Sequence, residues 1–158
     1  MSFDPGSVRA RREQMLLRML FRATHLMNTE MTRRLRARGW TGFQPTFTTL
    51  LSHLDTEGTT ISTLATRIGT SRQAVSQLVQ AIERAGLLER MPHPTDGRSV
   101  LVRHTTSGRR ILLDALEVMT EIEGEYAACA GKKETAELKR LLAHLLDEID
   151  LRGALHAD

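Results

Sequence analysis

From Ser71 the chain reads SRQAVSQLVQAIERAG. Ala74, Val75, Leu78, Ala81, Ile82 and Ala85 recur at helical intervals on one side. Arg72, Gln73, Ser76, Gln77 and Gln80 fall on the other, at steps of one, three and four. The polar side carries no carboxylate until Glu83. A merely solvated helix face would mix Glu with Lys. Arg, Gln and Ser are instead the side chains that hydrogen-bond base edges: Arg to guanine, Gln to adenine, Ser to several partners. Ser71 suits the N-cap, and the free N–H groups and positive dipole end behind it attract anions. The pattern predicts a helix that presents Arg72, Gln73, Ser76, Gln77 and Gln80 on a face suited to base edges.

A second stretch, HPTDGRSV from His93 to Val100, lies between LLERM and LVRHT. Pro94 fixes φ, Asp96 tolerates the left-handed region and bonds its own backbone, and Gly97 allows positive φ, which together make a turn. A hairpin follows, with strands near 87–91 and 98–104. A turn does not require the arginine at its tip. Arg98 there suits a narrow minor groove, where negative potential concentrates. Asp96 is a poor neighbour for phosphates, so its expected work is to bond loop amides or to hold the Arg98 guanidinium.

Other chemistries find little support. The histidines at 25, 53, 93, 104, 144 and 156 show no HxxxH or HExxH spacing, and the single Cys129 supplies no CxxC, so no metal site is expected. The sequence holds no Walker loop, GxSxG elbow or dinucleotide fingerprint. Neither an enzyme nor a bound cofactor is expected. Tyr126, Ala127, Ala128 and Ala130 around Cys129 supply no cationic neighbour to activate it, which favours a structural cysteine over a redox switch.

These residues need elements to position them. From Val8 to about Arg38 no Pro or Gly intervenes, and Met15, Met19, Leu26, Met31 and Leu35 recur at helical spacing. One long helix is predicted there, roughly 45 Å at 1.5 Å per residue. The next opens at QPTF and runs to about Asp55, and EGTT, residues 57–60, is a turn. A short helix capped by Ser62 carries Ile61, Leu64, Ala65 and Ile68 and ends at Gly69. The joint GTS then leads into the helix at Ser71, which ends at Gly86. A three-residue joint is the length of a helix-turn-helix connection. After the hairpin, TTSGRR opens a helix capped by Thr106 or Ser107 that fades near 129–131. The final helix carries Leu138, Leu141, Leu142, Leu145, Leu146 and Ile149, an apolar stripe that one small domain would struggle to cover alone.

Composition fits this arrangement. Apolar residues make up 41% of the 158, enough for a core, and aromatics only 4%, which argues against a stacking platform for single strands. The net charge is +3, distributed as +4 over residues 1–58, +5 over 59–110 and −6 over 111–158. A basic middle is the footprint expected of an anion-binding module. One cysteine, no apolar leader in MSFDPGSVRARREQ and no membrane-length apolar run lead to the expectation of a cytoplasmic protein.

The stretch from TTISTLATRIGTSRQAVSQLVQAIERAG through PHPTDGRSVLVRHTTSGRR resembles the winged-helix core of MarR-type regulators, most specifically in Asp96-Gly97-Arg98 and the helix start Thr105-Thr106-Ser107-Gly108. The long flanking helices also look like that family's arms. The resemblance implies a mainly α fold with a small β-hairpin wing, a winged helix-turn-helix with long N- and C-terminal dimerisation helices. It divides the chain into a dimerisation helix (1–40), the winged helix (41–108) and C-terminal dimerisation helices (109–158). It further implies a homodimer on a palindromic double-stranded operator, more readily a repressor than an activator, with Ser71, Arg72, Gln73, Ser76, Gln77 and Gln80 in the major groove and Arg98 in the minor groove. A small aromatic or anionic effector is implied in a crevice that His25, Trp40, Phe43 and Phe47 would line, with Arg22 or Arg38 as counter-charge; ordinary core packing is the other reading of those aromatics. Two positions depart from the family. Gly97 stands where a basic residue is common, and His104 where an apolar one is usual, either as a packed histidine or as part of a responsive site. Two rival readings are a winged helix that binds protein and no DNA, and a regulator that senses oxidants through Cys129.

Overall fold

The computed structural model describes residues 4–93 and 99–155. Along the chain run helices α1 (Pro5–Glu13), α2 (Leu16–Ala37) and α3 (Pro45–Leu51), strand β1 (Thr59–Thr60), helices α4 (Ile61–Ile68) and α5 (Arg72–Arg84), strands β2 (Leu88–Pro92) and β3 (Val100–His104), and helices α6 (Thr106–Ala130) and α7 (Lys132–Leu155). This is a mainly helical winged helix-turn-helix, as the resemblance implies. Residues up to Val118 form one compact unit and those from Met119 a second. Arg98 and Asp96, the predicted wing-tip residues, lie outside the described residues.

In the first unit the core gathers Leu35 from α2, Phe47 and Leu50 from α3, Leu64 from α4, Val75, Val79 and Ile82 from α5 and Val102 from β3, all buried. Phe43 and Phe47 meet edge to face, with ring centroids 5.8 Å apart, a contact worth about 0.5–1.5 kcal/mol beyond its buried area. The sheet has the order β1-β3-β2, antiparallel throughout. Glu89 faces Arg103 across β2 and β3, and their side chains pair at 2.7 Å. In the second unit Lys139 on α7 reaches Glu123 on α6 at 2.7 Å.

Several boundaries differ from the sequence reading. The long N-terminal helix is two helices: Met15 is extended, at φ −74° and ψ 131°, and caps α2. No Pro or Gly marks this break. What changes is the pattern, since α1 holds Val8 as its one large apolar residue while Met15, Leu16, Leu17 and Met19 crowd the start of α2. α1 also starts earlier than predicted, because Asp4 accepts hydrogen bonds from the Gly6 and Ser7 amides at 3.2 and 3.0 Å. α3 ends at Leu51, not Asp55. The Asp55 carboxylate instead binds Arg67 of α4 at 2.8 Å and the Thr59 hydroxyl at 3.1 Å, and it is held below its ordinary pKa chiefly by Arg67. The predicted turn at 57–60 holds β1, which is too short to show an alternating pattern. Thr60, not Ser62, caps α4. On α5, Ala74 and Ala85 are exposed, and Val79, absent from the predicted apolar side, is fully buried.

The start of α6 is capped by Thr105, ahead of both predicted caps. Its hydroxyl accepts from the Gly108 amide at 2.9 Å and donates to the Gly86 carbonyl at 2.7 Å, while its own N–H donates to the Leu87 carbonyl at 3.1 Å. Gly108 makes this approach possible, because a Cβ there would run into the Leu87 carbonyl oxygen. His104 beside it is buried at 5% exposure, and its Nδ1 has no hydrogen-bond partner. Burial first, and the Arg109 charge second, hold its pKa below the ordinary 6.5.

Two outcomes follow from this junction. Gly108→Ala should cost about 1–3 kcal/mol through overpacking and lower the melting temperature by several degrees. Gly124→Ala, where a Cβ meets nothing within 4 Å, should gain about 0.5–1 kcal/mol; equal melting of the two variants would remove the packing argument. His104 is neutral in the fold, so below pH 6.5 the unfolded chain takes up its proton first. Its contribution is therefore present above pH 6.5 and lost as pH falls through the lower folded value. Denaturant melts from pH 7.5 to 5 should show a smaller loss of stability in His104→Leu than in the parent, and parallel losses would refute the assignment.

Candidate nucleic-acid interface

The joint between α4 and α5 is tight. Gly69 adopts φ 71° and ψ 37°, a left-handed conformation that glycine takes without steric cost. The Thr70 N–H reaches back to the Ala65 carbonyl at 3.0 Å. Ser71 then caps α5 as its sequence suggests, accepting from the Ala74 amide at 3.1 Å. Val75, Val79 and Ile82 bury one stripe of α5. That stripe turns Arg72, Gln73, Gln77 and Gln80 outward, all exposed, and their side-chain polar groups have no hydrogen bond within the described residues. Four side chains able to donate to base edges thus share one free face. The unpaired N–H groups of the first turn lie at the same end as Arg72.

The other two predicted contacts on this helix are partly committed. The Ser71 hydroxyl is engaged as the cap. Ser76 is half-buried, and its carbonyl and hydroxyl oxygens accept from Arg90 Nη2 at 3.2 and 3.5 Å. Arg90 Nε also pairs with Glu83 at 3.1 Å. Neither member of that pair is evident from sequence as part of the site. Arg90 reads there as one more basic residue of the hairpin, and only the fold carries it back across 14 positions to Ser76.

The four residues predicted for an effector crevice are not brought to one cavity. Phe43 and Phe47 are core residues at 3% and 2% exposure, and His25 stands on the exposed part of α2. Trp40 is half-buried, and its Nε1 donates to the Asp114 carboxylate of α6. A cavity of about 200 Å³ is lined by Trp40 and Phe43, with Gly39, Thr41, Gly42, Ala85, Leu87 and Ile111; His25 and Phe47 do not line it. Of the two counter-charges, Arg38 pairs with Glu117 at 3.0 Å and Arg22 is exposed. Cys129 is free and exposed. Among the described residues no cluster of three His, Cys, Asp or Glu gathers, and no helix is long and apolar enough to cross a membrane.

Comparison with known proteins agrees with this fold. Residues 41–99 match the MarR family model. The chain is 29% identical over 130 residues to YdcH of Bacillus subtilis, described as an uncharacterized HTH-type transcriptional regulator, covering 80% of this chain and 88% of that one. Among solved structures it resembles the Mycobacterium tuberculosis transcriptional regulator MosR in complex with DNA, at a TM-score of 0.62 and 24% identity over 87% of this chain and 98% of that one. It also resembles the transcriptional repressor CouR bound to a 23-mer DNA duplex, at a TM-score of 0.66 and 22% identity over 92% and 99%.

Proposed function

We propose that the chain, whose residues 41–99 match the MarR family model, is a transcriptional regulator of that kind and not an enzyme, and that it binds double-stranded DNA in the cytoplasm as a homodimer. The dimer reads a palindromic operator and acts as a repressor by occluding a promoter. The observation that carries this reading is the outward face of α5: Arg72, Gln73, Gln77 and Gln80, exposed and uncommitted, with no carboxylate among them. Those four are the proposed base readers, with Ser71 at the helix start and Arg98 of the wing entering a minor groove. The proposed parts are a winged helix at 41–108 and dimerising segments at 1–40 and 109–158.

Dimerisation is supported by apolar surface on both arms. Leu16, Leu17 and Phe21 on α2 are 56–68% exposed, and Leu138, Leu141, Leu146 and Ile149 on α7 are 49–59% exposed. Large apolar side chains exposed in such numbers are costly in water and favour a partner interface. The cavity beside Trp40 and Phe43 is the proposed seat of a small effector, with Trp40 supplying an aromatic wall. Repression is supported by the likeness to CouR, itself a repressor.

Selection of bound duplexes from a random pool should enrich an inverted repeat with half-sites about 10 bp apart, as two-fold docking in successive major grooves demands. Gln73→Ala should change the preferred base at one position of each half-site, at a cost of about 1–3 kcal/mol. Arg98→Ala should weaken binding across all sequences and reduce the salt slope by about one. A protein that enriches nothing and binds in a salt-insensitive way is a protein-binding module instead.

A further inference from the structure

We propose that Arg90 is a positioning residue, which fixes the rotation and height of α5 over the bases by clamping two of its turns to the wing. The inference rests on the proposed reading of DNA by α5 and adds to it a residue that touches no base.

Ser76 and Glu83 lie seven residues apart on α5, two turns and about 10 Å along the axis, so both face the same side. The Arg90 guanidinium lies between them. Its Nε reaches Glu83 at 3.1 Å, and its Nη2 reaches the Ser76 carbonyl at 3.2 Å and hydroxyl at 3.5 Å. A planar fork with donors in fixed directions makes both contacts at once, which an ammonium group cannot reproduce. The other end of the side chain is anchored in the sheet, where Arg90 stands opposite Val102, a fully buried residue.

The need for such a clamp follows from how α5 is otherwise held. Val75, Val79 and Ile82 press the helix onto the core, and apolar contact of that kind is not directional. It sets the depth of the helix while leaving small rotations and slides cheap. Base reading tolerates neither, because a bidentate contact depends on the angle and distance of two hydrogen bonds. Arg90 supplies the directional restraint. It also answers the one carboxylate on α5. Glu83 left unpaired would set a negative charge beside the phosphates; paired with Arg90 it becomes part of the support. Ser76, with its oxygens turned to Arg90, belongs to this support and not to the reading face.

Arg90 is exposed enough, at 36% of its side chain, that a direct phosphate contact is the competing assignment, and the test separates the two. Binding of the full-length protein is measured on its selected operator, on singly substituted operators and on an unrelated duplex, between 50 and 200 mM salt, for Arg90→Ala, Arg90→Lys and Glu83→Gln. Arg90→Ala should reduce discrimination between the operator and its substituted forms by about fivefold or more, leaving non-specific affinity and its salt slope unchanged. Arg90→Lys, which keeps the charge and loses the fork, should lose most of the same discrimination, and Glu83→Gln part of it. In the free protein, amide exchange over residues 76–83 should quicken in Arg90→Ala while the melting temperature of Arg90→Lys and Glu83→Gln stays near the parent's. Equal weakening on every duplex, with the salt slope reduced by about one, would identify a phosphate contact and overturn the proposal. Unchanged discrimination in folded Arg90→Lys would overturn it as well. A parent protein that selects no duplex overturns the DNA reading itself, and this inference with it.

Discussion

The hydroxyl of Thr105 is where the winged helix closes on itself. It donates to the carbonyl that ends α5, at Gly86, and accepts from the amide of Gly108 in the first turn of α6, while the Thr105 N–H takes the carbonyl of Leu87 just ahead of β2. One residue thus joins the end of α5, both strands of the hairpin and the start of α6. Each bond contributes about 1 kcal/mol net. Their weight comes from what they share: losing the hydroxyl leaves two backbone groups of one junction unpaired together. Gly108 is the condition for all of it, since any side chain there would push α6 off Leu87.

Helix α5 hangs from this junction at its C-terminal end and is fixed at its other end by different means. Ser71 caps it, the Gly69 turn sets its angle to α4, and α4 is itself tied down through Arg67 to Asp55. Between the two ends, packing of Val75, Val79 and Ile82 holds one side and Arg90 holds the middle. The helix is therefore restrained at every turn except on the face that carries Arg72, Gln73, Gln77 and Gln80. A face left free on an element otherwise fully committed is the arrangement a rigid recognition surface requires.

Much of this is legible in the sequence. Helix caps and stops at Ser71, Gly69 and Gly86 depend on neighbours within four residues, so they read directly, and so does the amphipathic pattern of α5. The errors share another origin. Thr105 replaces Thr106 or Ser107 as the cap because the Gly86 carbonyl, 19 residues away, draws its hydroxyl. α3 stops at Leu51 because Asp55 has partners on β1 and α4. β1 escapes notice because two threonines become a strand only when β3 lies beside them. The aromatics are ambiguous for a related reason: such a residue looks the same in sequence whether its ring fills the core, as Phe47 does, or lines a cavity, as Trp40 does.

Charge shows most plainly why counting residues does not locate a site. The segment from 59 to 110 carries a formal +5, yet half of its eight arginines serve the fold. Arg67 binds Asp55, Arg90 binds Glu83 and Ser76, Arg103 binds Glu89, and Arg109 donates to the His104 carbonyl and the Thr106 hydroxyl. The three that meet carboxylates, Arg67, Arg90 and Arg103, present little net field beyond a Debye length of about 8 Å. What matters to an approaching anion is the local arrangement: one uncommitted guanidinium, on Arg72, at the positive end of a helix whose single carboxylate is neutralised from below. The bias toward arginine over lysine acquires a physical meaning in the same way. Three of those internal arginines make more than one hydrogen bond from a single fork, and that capacity, more than the positive charge, is what the structure uses.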